Sequence, residues 1–471
     1  MTAMNDTRHP FDHDVAILGG GSAGYAAART AAAAGLRTVV IEGGAEVGGL
    51  CILRGCMPTK ALLYAAEVLH RARHVEPWGI HAESVGFDFA KVMARKNALI
   101  QEFANDRREQ LAGGKFKFIR ATAAFLDPHT VALSKAGPLT AAHFVITTGS
   151  TVAPPPLPQL HDIGYLTSDD ALRLTQLPES LIVLGGGAVA VELAQFFARF
   201  GVHVTLLQRG EHLLREFDTD AAMEIEKVFR RDGIEVFTNT KLTGARREGP
   251  RKTISFEHHG QPVTVSAEEI LFALGRVPNT ALLDLDKAGV ATERGRIVAD
   301  KSMQTSAAHI YTAGDCTGPH EIVHLAVQQG EIAAHNIAHP DAPRRMDYRL
   351  LLAVIFTDPQ VTFVGLTEKT ATACGIPYLT ARHRFSDHGK SLIMEARDGY
   401  VKLLANPQSG EILGGACVGP VGGELIHEIV AAMAKRMTVH ELAALPHYHP
   451  TLAEIWTYPA EALAERIPTL R

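Results

Sequence analysis

Two cysteines, Cys51 and Cys56, stand five positions apart in the stretch GGLCILRGCMPTKALL (48–63), and the whole chain holds only five. Such a pair can clip a metal, staple a loop or carry a reversible disulfide. On a straight helix, positions i and i+5 differ by about 7.5 Å in rise and about 140° in direction. That is too far apart for a disulfide, whose Cα atoms lie about 4.4–6.8 Å from each other. Gly55 and Pro58 change the picture, because a turn at Gly55 would deliver Cys56 to the start of a helix running through Lys60-Ala61-Leu62-Leu63. Proline is tolerated in a first helical turn, and a thiol at a helix N-terminus is biased towards thiolate. Zinc would need two further Cys or His ligands at similar spacing. Cys316, Cys374 and Cys417 are scattered far from the pair, so no metal site is expected.

Composition narrows the choice. The chain has 471 residues, 46% apolar and 21% charged, with a formal net charge of −5. That profile suits about three ordinary globular domains and lacks the basic balance of a nucleic-acid binder. The opening MTAMNDTRHPFDHD has no charged-then-apolar leader pattern, and no apolar run reaches the eighteen or so residues of a membrane span. A cytoplasmic location is expected. There structural disulfides are rare and a cysteine pair is more often catalytic, which favours the redox reading.

The elements that would position such a pair come next. Residues 14–24 read DVAILGGGSAG, an apolar run and then Gly19-x-Gly21-Ser22-x-Gly24; an Ala-rich helical stretch and a second apolar run ending at Glu42 follow. This is a βαβ unit whose glycines let the backbone approach a pyrophosphate at a helix N-terminus, while the terminal acid can bind a ribose hydroxyl. The unit recurs in SLIVLGGGAVAVELAQFFARFGVHVTLLQRG, with Gly185-x-Gly187-x-x-Ala190. The offsets agree, since 42 − 19 and 208 − 185 are both 23, but Gln208 replaces the acid, and Arg209 and Arg215 follow. An acid would repel a 2′-phosphate and arginines attract one, so NADP is the expected second nucleotide, with NAD next in line. Two dinucleotide folds imply two dinucleotides. A further strand, HIYTAGDCTG, ends at Asp315, and LFALGRVPNT (271–280) carries a Gly-Arg turn at Gly275.

In this order, the glycine fingerprint, Cys-x4-Cys, second fingerprint, Gly-Arg-x-Pro-Asn turn and Ala-Gly-Asp resemble the flavin-dependent pyridine nucleotide–disulfide oxidoreductases, whose members include dihydrolipoamide dehydrogenase, glutathione reductase and mercuric reductase. The resemblance spans essentially the whole chain, with PHYHPTLAEIW (446–456) as its last element. It implies an α/β fold of two Rossmann-like dinucleotide-binding domains plus a C-terminal α+β dimerisation domain. Residues 1–150 and 274–340 would form the FAD domain, 151–273 the NAD(P) domain, and 341–471 the interface of a homodimer. FAD would lie on Gly19, Gly21, Ser22 and Gly24, with Glu42 at its ribose and Gly149 and Asp315 as further contacts.

The same resemblance makes Cys56 the sulfur next to the flavin and Cys51 the outer sulfur that meets substrate. Lys60 would pair with Glu192 near the flavin edge. His449, in His449-Pro450-Thr451-x-x-Glu454, would be the acid–base group, oriented by Glu454 and reaching the disulfide of the other subunit. Imidazole titrates near neutrality, so it can take a proton from one thiol and return it to another. The expected reaction is FAD-dependent electron exchange between NAD(P)H, the Cys51–Cys56 pair and a small disulfide or dithiol, with dihydrolipoamide dehydrogenase as the nearest type. Gln208-Arg209 and Ile52-Leu53-Arg54 depart from that type. FTDPQV and RMTV are shared with mercuric reductases, which carry a C-terminal cysteine pair and lack the histidine. The same motifs also suit a glutathione reductase-like enzyme, or an NADPH-dependent flavin carrier that reduces quinones or dyes. Cys316, Cys374 and Cys417 are expected to be structural.

Overall fold

β1 (His13–Leu18), α1 (Ser22–Ala33) and β2 (Thr38–Glu42) form the first βαβ unit, in the order that the apolar run, the glycines and the second apolar run require. In the computed structural model, which describes residues 10–468, β1 pairs in parallel with β2 and with the end of a long strand, β6 (Ala136–Ile146). β3 (Lys117–Arg120) extends the sheet beyond β2, and Ile310–Thr312 extends it beyond β6. The first half of β6 pairs instead with an antiparallel hairpin, β4 (Ala123–Asp127) and β5 (Thr130–Leu133), so one strand serves two sheets. Strands covered on both faces read as continuous apolar runs, and Val15, Ala16, Ile17 and Leu18 of β1 are all buried. The Ala-rich face of α1 admits the helix Val323–Ala338 so closely that a Cβ on Gly330 would lie 2.3 Å from the Ala23 carbonyl oxygen.

Between β2 and β3 come α2 (Gly49–Arg54), α3 (Cys56–Arg73) and α4 (Phe89–Ala112). The described residues divide into two compact units. One holds the chain up to Pro58 with Arg95–Ala153 and Arg276–Met346; the other holds Thr59–Ala94, Pro154–Gly275 and Asp347 onward.

The second unit contains its own parallel sheet, ordered Glu235–Phe237, His203–Leu207, Ser180–Leu184, Glu269–Phe272, with the helix Ala188–Arg199 after its central strand. An antiparallel meander of Thr240–Glu248, Arg251–His258 and Gln261–Ala267 is inserted before the last of those strands. The C-terminal part is a five-stranded antiparallel sheet, spanning Leu352–Gly419, on which the helix Gly422–Ala434 packs through Ile426 and Ile429. The meander carries no motif, and nothing in the sequence announces it. The same is true of the short ribbon in which β7 (Ser150–Val152) pairs with Arg276–Pro278, directly beside the Gly-Arg turn and the Pro-rich run. No helix among the described residues is long and apolar enough to cross a membrane.

Candidate active site

The glycines of the first fingerprint are there for close approach. Gly19 has φ +113, and a Cβ on it would lie 2.4 Å from the Thr147 carbonyl oxygen; one on Gly24 would lie 1.9 Å from the oxygen of Gly19. Gly21 is the N-cap of α1 and, having no side chain, leaves the N–H groups of the first turn, starting at Ser22, open to an anion. The Glu42 carboxylate accepts from Gly20 N–H at 2.8 Å and Gly44 N–H at 2.6 Å, which pins it at the end of β2 beside that turn. Asp315 accepts from the Ser150 hydroxyl at 2.7 Å, and Arg276 donates to the same hydroxyl at 2.8 Å. Gly149, at φ +71, turns the chain between β6 and β7, and its carbonyl accepts from Asn279 N–H. An open helix N-terminus, a close-packed glycine cradle and a fixed carboxylate at the end of the second strand fit a dinucleotide such as FAD.

The cysteines lie in the same unit. α2 ends at Arg54, Gly55 adopts φ −127 and ψ −113, and α3 starts at Cys56. A Cβ on Gly55 would lie 3.0 Å from the Leu50 carbonyl and 3.2 Å from the Cys51 Cα, so the chain folds back tightly between the two cysteines. Cys51 and Cys56 are half-buried, and Cys56 sits at the positive end of an eighteen-residue helix. Gly49, at φ +75, packs against the first fingerprint: a Cβ there would lie 2.7 Å from the Gly21 Cα. Cys316 and Cys417 are buried and Cys374 is exposed. Burial pushes the Cys316 and Cys417 thiols up, away from thiolate chemistry.

In the second unit, Lys60 Nζ meets the Glu192 carboxylate at 2.8 and 3.0 Å. Glu192 is 3% exposed, and its Oε1 also accepts from Phe356 N–H at 2.9 Å. The ammonium lies 4.7 Å from the Phe356 ring centroid. The second fingerprint repeats the first: Gly185 has φ +120 with its Cβ position 2.3 Å from the Ala273 carbonyl, Gly187 is the N-cap of its helix, and Ala190 is fully buried. Gln208 donates to the His212 carbonyl at 3.1 Å. Arg209 and Arg215 are exposed, and neither guanidinium is engaged in an ion pair or hydrogen bond among the described residues. Gly275, at φ +114, has open space where a Cβ would stand.

His449 Nδ1 lies 3.0 Å from Glu454 Oε2 and 3.2 Å from Oε1, with its side chain 77% exposed and that of Glu454 10%. The ring is held at one nitrogen and presented at the other. Sequence reasoning missed what stands behind the carboxylate: His388, fully buried, has Nε2 3.4 Å from Glu454 Oε1 and Nδ1 2.8 Å from the Ser391 hydroxyl. Burial holds His388 below the usual histidine range, against the pull of Glu454. No sequence signal ties position 388 to 454. His447 pairs with Glu428, at 2.6 Å, rather than with Glu454.

The family model described as pyridine nucleotide-disulphide oxidoreductase matches residues 13–330, and that family's dimerisation domain matches 352–460. The chain is 35% identical to the dihydrolipoyl dehydrogenase of Geobacillus stearothermophilus over 451 residues, covering 94% of this chain and 95% of the relative. It is 36% identical to the mercuric reductase of Streptomyces lividans over 465 residues, covering 97% and 98%. Among solved structures, it is similar to the HOCl-induced flavoprotein disulfide reductase RclA of Escherichia coli, with a TM-score of 0.84 and 26% identity over 95% of this chain and 99% of that one.

Proposed function

The chain belongs to the pyridine nucleotide-disulphide oxidoreductase family, FAD-dependent enzymes that exchange electrons between NAD(P) and a sulfur centre, and from that premise we propose that it reduces a small carbon-borne disulfide with NADPH. The observation that carries this reading is the His449–Glu454 pair. Thiol–disulfide exchange needs a group that takes and returns a proton; reduction of a bare metal ion has no leaving thiol to protonate.

Bound FAD supplies the two-electron link between nicotinamide and the cysteine pair. Gly19, Gly21, Ser22, Gly24, Glu42, Gly149 and Asp315 would hold it, and the Lys60–Glu192 pair would supply a fixed charge pair to the reaction. The Cys51 thiolate attacks one substrate sulfur, and the departing thiolate takes a proton from His449. The Cys56 thiolate then attacks the Cys51 sulfur, closing the Cys51–Cys56 disulfide and expelling the second substrate sulfur as a thiolate, which takes its proton from solvent. NADPH and one proton thus convert one disulfide to two thiols. Glu454 keeps the His449 ring in the tautomer and orientation that this requires.

On the second fingerprint, Gly185, Gly187 and Ala190 seat the nicotinamide nucleotide, with Gly275 at the return of the chain. Gln208, Arg209 and Arg215 select its 2′-phosphate. The FAD domain is assigned to residues 1–150 and 274–340, the NAD(P) domain to 151–273 and the dimer domain to 341–471. His449 acts on the cysteine pair of the partner subunit in a cytoplasmic homodimer. Turnover of NADPH against a panel of disulfides, quinones and Hg(II) tests the reading. His449→Ala should cut disulfide turnover by about 10²–10⁴. Efficient Hg(II) or quinone reduction indifferent to His449, with no disulfide turned over, would refute it.

A further inference from the structure

Arg107, on α4, stacks its guanidinium on the ring of Tyr25, 4.3 Å from the centroid. Its Nε and Nη1 are buried and have no hydrogen-bond partner among the described residues. Buried polar groups are almost always satisfied, and a charged donor left without an acceptor is costly. Other arginines nearby are committed. Arg29, one turn beyond Tyr25 on α1, is ion-paired with Glu331, and Arg108 bonds to Asn105 and the Ala104 carbonyl.

The place of this cation matters. Tyr25 N–H donates to the Gly21 carbonyl at 2.8 Å, so the stacked pair stands one turn into α1. Gly49, two residues before Cys51, is packed on that same Gly21. The outer cysteine and the guanidinium therefore share one end of α1. Burial holds Arg107 below the usual arginine range, and the Arg29 cation acts in the same direction. A guanidinium stacked on a ring has one face covered, so an anionic acceptor must approach it from the side, towards the donors that remain unpaired.

We propose that Arg107, held on Tyr25, anchors a carboxylate of the incoming disulfide, making this an enzyme for anionic disulfides. The inference rests on the disulfide-reductase reading and adds the class of substrate.

The test uses the FAD-loaded enzyme, its Arg107→Met and Arg107→Lys variants, and three disulfides: dianionic 5,5′-dithiobis(2-nitrobenzoate), neutral bis(2-hydroxyethyl) disulfide and dicationic cystamine. In Arg107→Met, kcat/KM for the dianion should fall about tenfold or more relative to the other two, as expected for one lost charge-assisted contact, with part of the loss restored in Arg107→Lys. An equal fall for all three would place Arg107 on the Cys51 thiol alone, and loss of FAD from the variant would make it a cofactor residue; either overturns the proposal. A second readout needs no disulfide turnover. Alkylation of the reduced enzyme by iodoacetate relative to iodoacetamide should drop in Arg107→Met, and an unchanged ratio overturns the anchor. If the parent enzyme reduces none of the disulfides, the reductase reading fails, and the alkylation ratio still decides whether an anion is drawn to Cys51.

Discussion

Replacing Gln208 by glutamate should move the enzyme from NADPH towards NADH, because the second nucleotide loop already has the frame that holds an acid in the first. The two loops correspond position by position, since 185 − 19, 186 − 20, 208 − 42 and 210 − 44 are all 166. Glu42 is held by the N–H groups of Gly20 and Gly44. Gln208 lies over Gly186, whose Cβ position is 2.8 Å from its Cδ, and beside Gly210, whose Cβ position is 3.3 Å from its Nε2. A glutamate there loses its donation to His212 and can take the two glycine N–H groups as Glu42 does. The magnitude follows from charge. A carboxylate about 6 Å from a 2′-phosphate charge, at an effective dielectric of about 20, costs about 3 kcal/mol, and salt screening cuts this to about 1.5 kcal/mol, or about tenfold. Acceptance of the ribose hydroxyls by an ionised group is worth about 1.5 kcal/mol to NADH, a further factor of about ten. The NADPH/NADH ratio of kcat/KM should therefore fall about a hundredfold at fixed ionic strength. Arg209→Ala and Arg215→Ala, both exposed, should each cost NADPH only about 0.5–1 kcal/mol. A ratio within about threefold of the parent in Gln208→Glu would refute the argument, since that change lies below the expected screened repulsion alone.

Three further perturbations test the second unit. Among the described residues, Lys60→Met leaves Glu192, 3% exposed, with only the Phe356 N–H; breaking a buried pair costs about 3–5 kcal/mol, reduced to about 2–3 kcal/mol because Lys60 is partly solvated. Urea unfolding should show this, and Lys60→Met with Glu192→Gln should be more stable than Lys60→Met alone. Lys402, 2% exposed, holds Asp218 at 2.8 Å, Glu368 at 2.7 Å and Asp220 at 3.0 Å, so Lys402→Met should lower thermal stability by about 3–5 kcal/mol; a change under about 1 kcal/mol would show that the three acids find other partners. His70 is held down to about 4 by burial, helped by the Arg199 cation. Its folded value lies below its unfolded one, so its contribution is present above pH about 6.5 and is lost as pH falls towards 4. His70→Asn should flatten that part of the stability–pH curve by about 1 kcal/mol, after discounting for its partial exposure; parallel curves would disprove it.

What is local in this protein was legible in the order of its residues. Gly19, Gly24 and Gly185 announce a cradle because a Cβ at those points would strike a backbone carbonyl, and a backbone requirement of that kind is written in a few adjacent residues. The break at Gly55 and the helix start at Cys56 are legible for the same reason. The pairing of Lys60 with Glu192, and of His449 with Glu454, was reached through resemblance, which carries non-local knowledge that spacing cannot. Only the folded chain shows which groups stand behind those pairs: the Phe356 N–H at Glu192, buried His388 at Glu454, the Tyr25 ring under Arg107, and the three carboxylates around Lys402. Each joins positions far apart in the chain, where no period, cap or turn residue links them. What brings them together is the burial of charge, which selects partners by distance in the folded core and leaves no local trace in the order of residues.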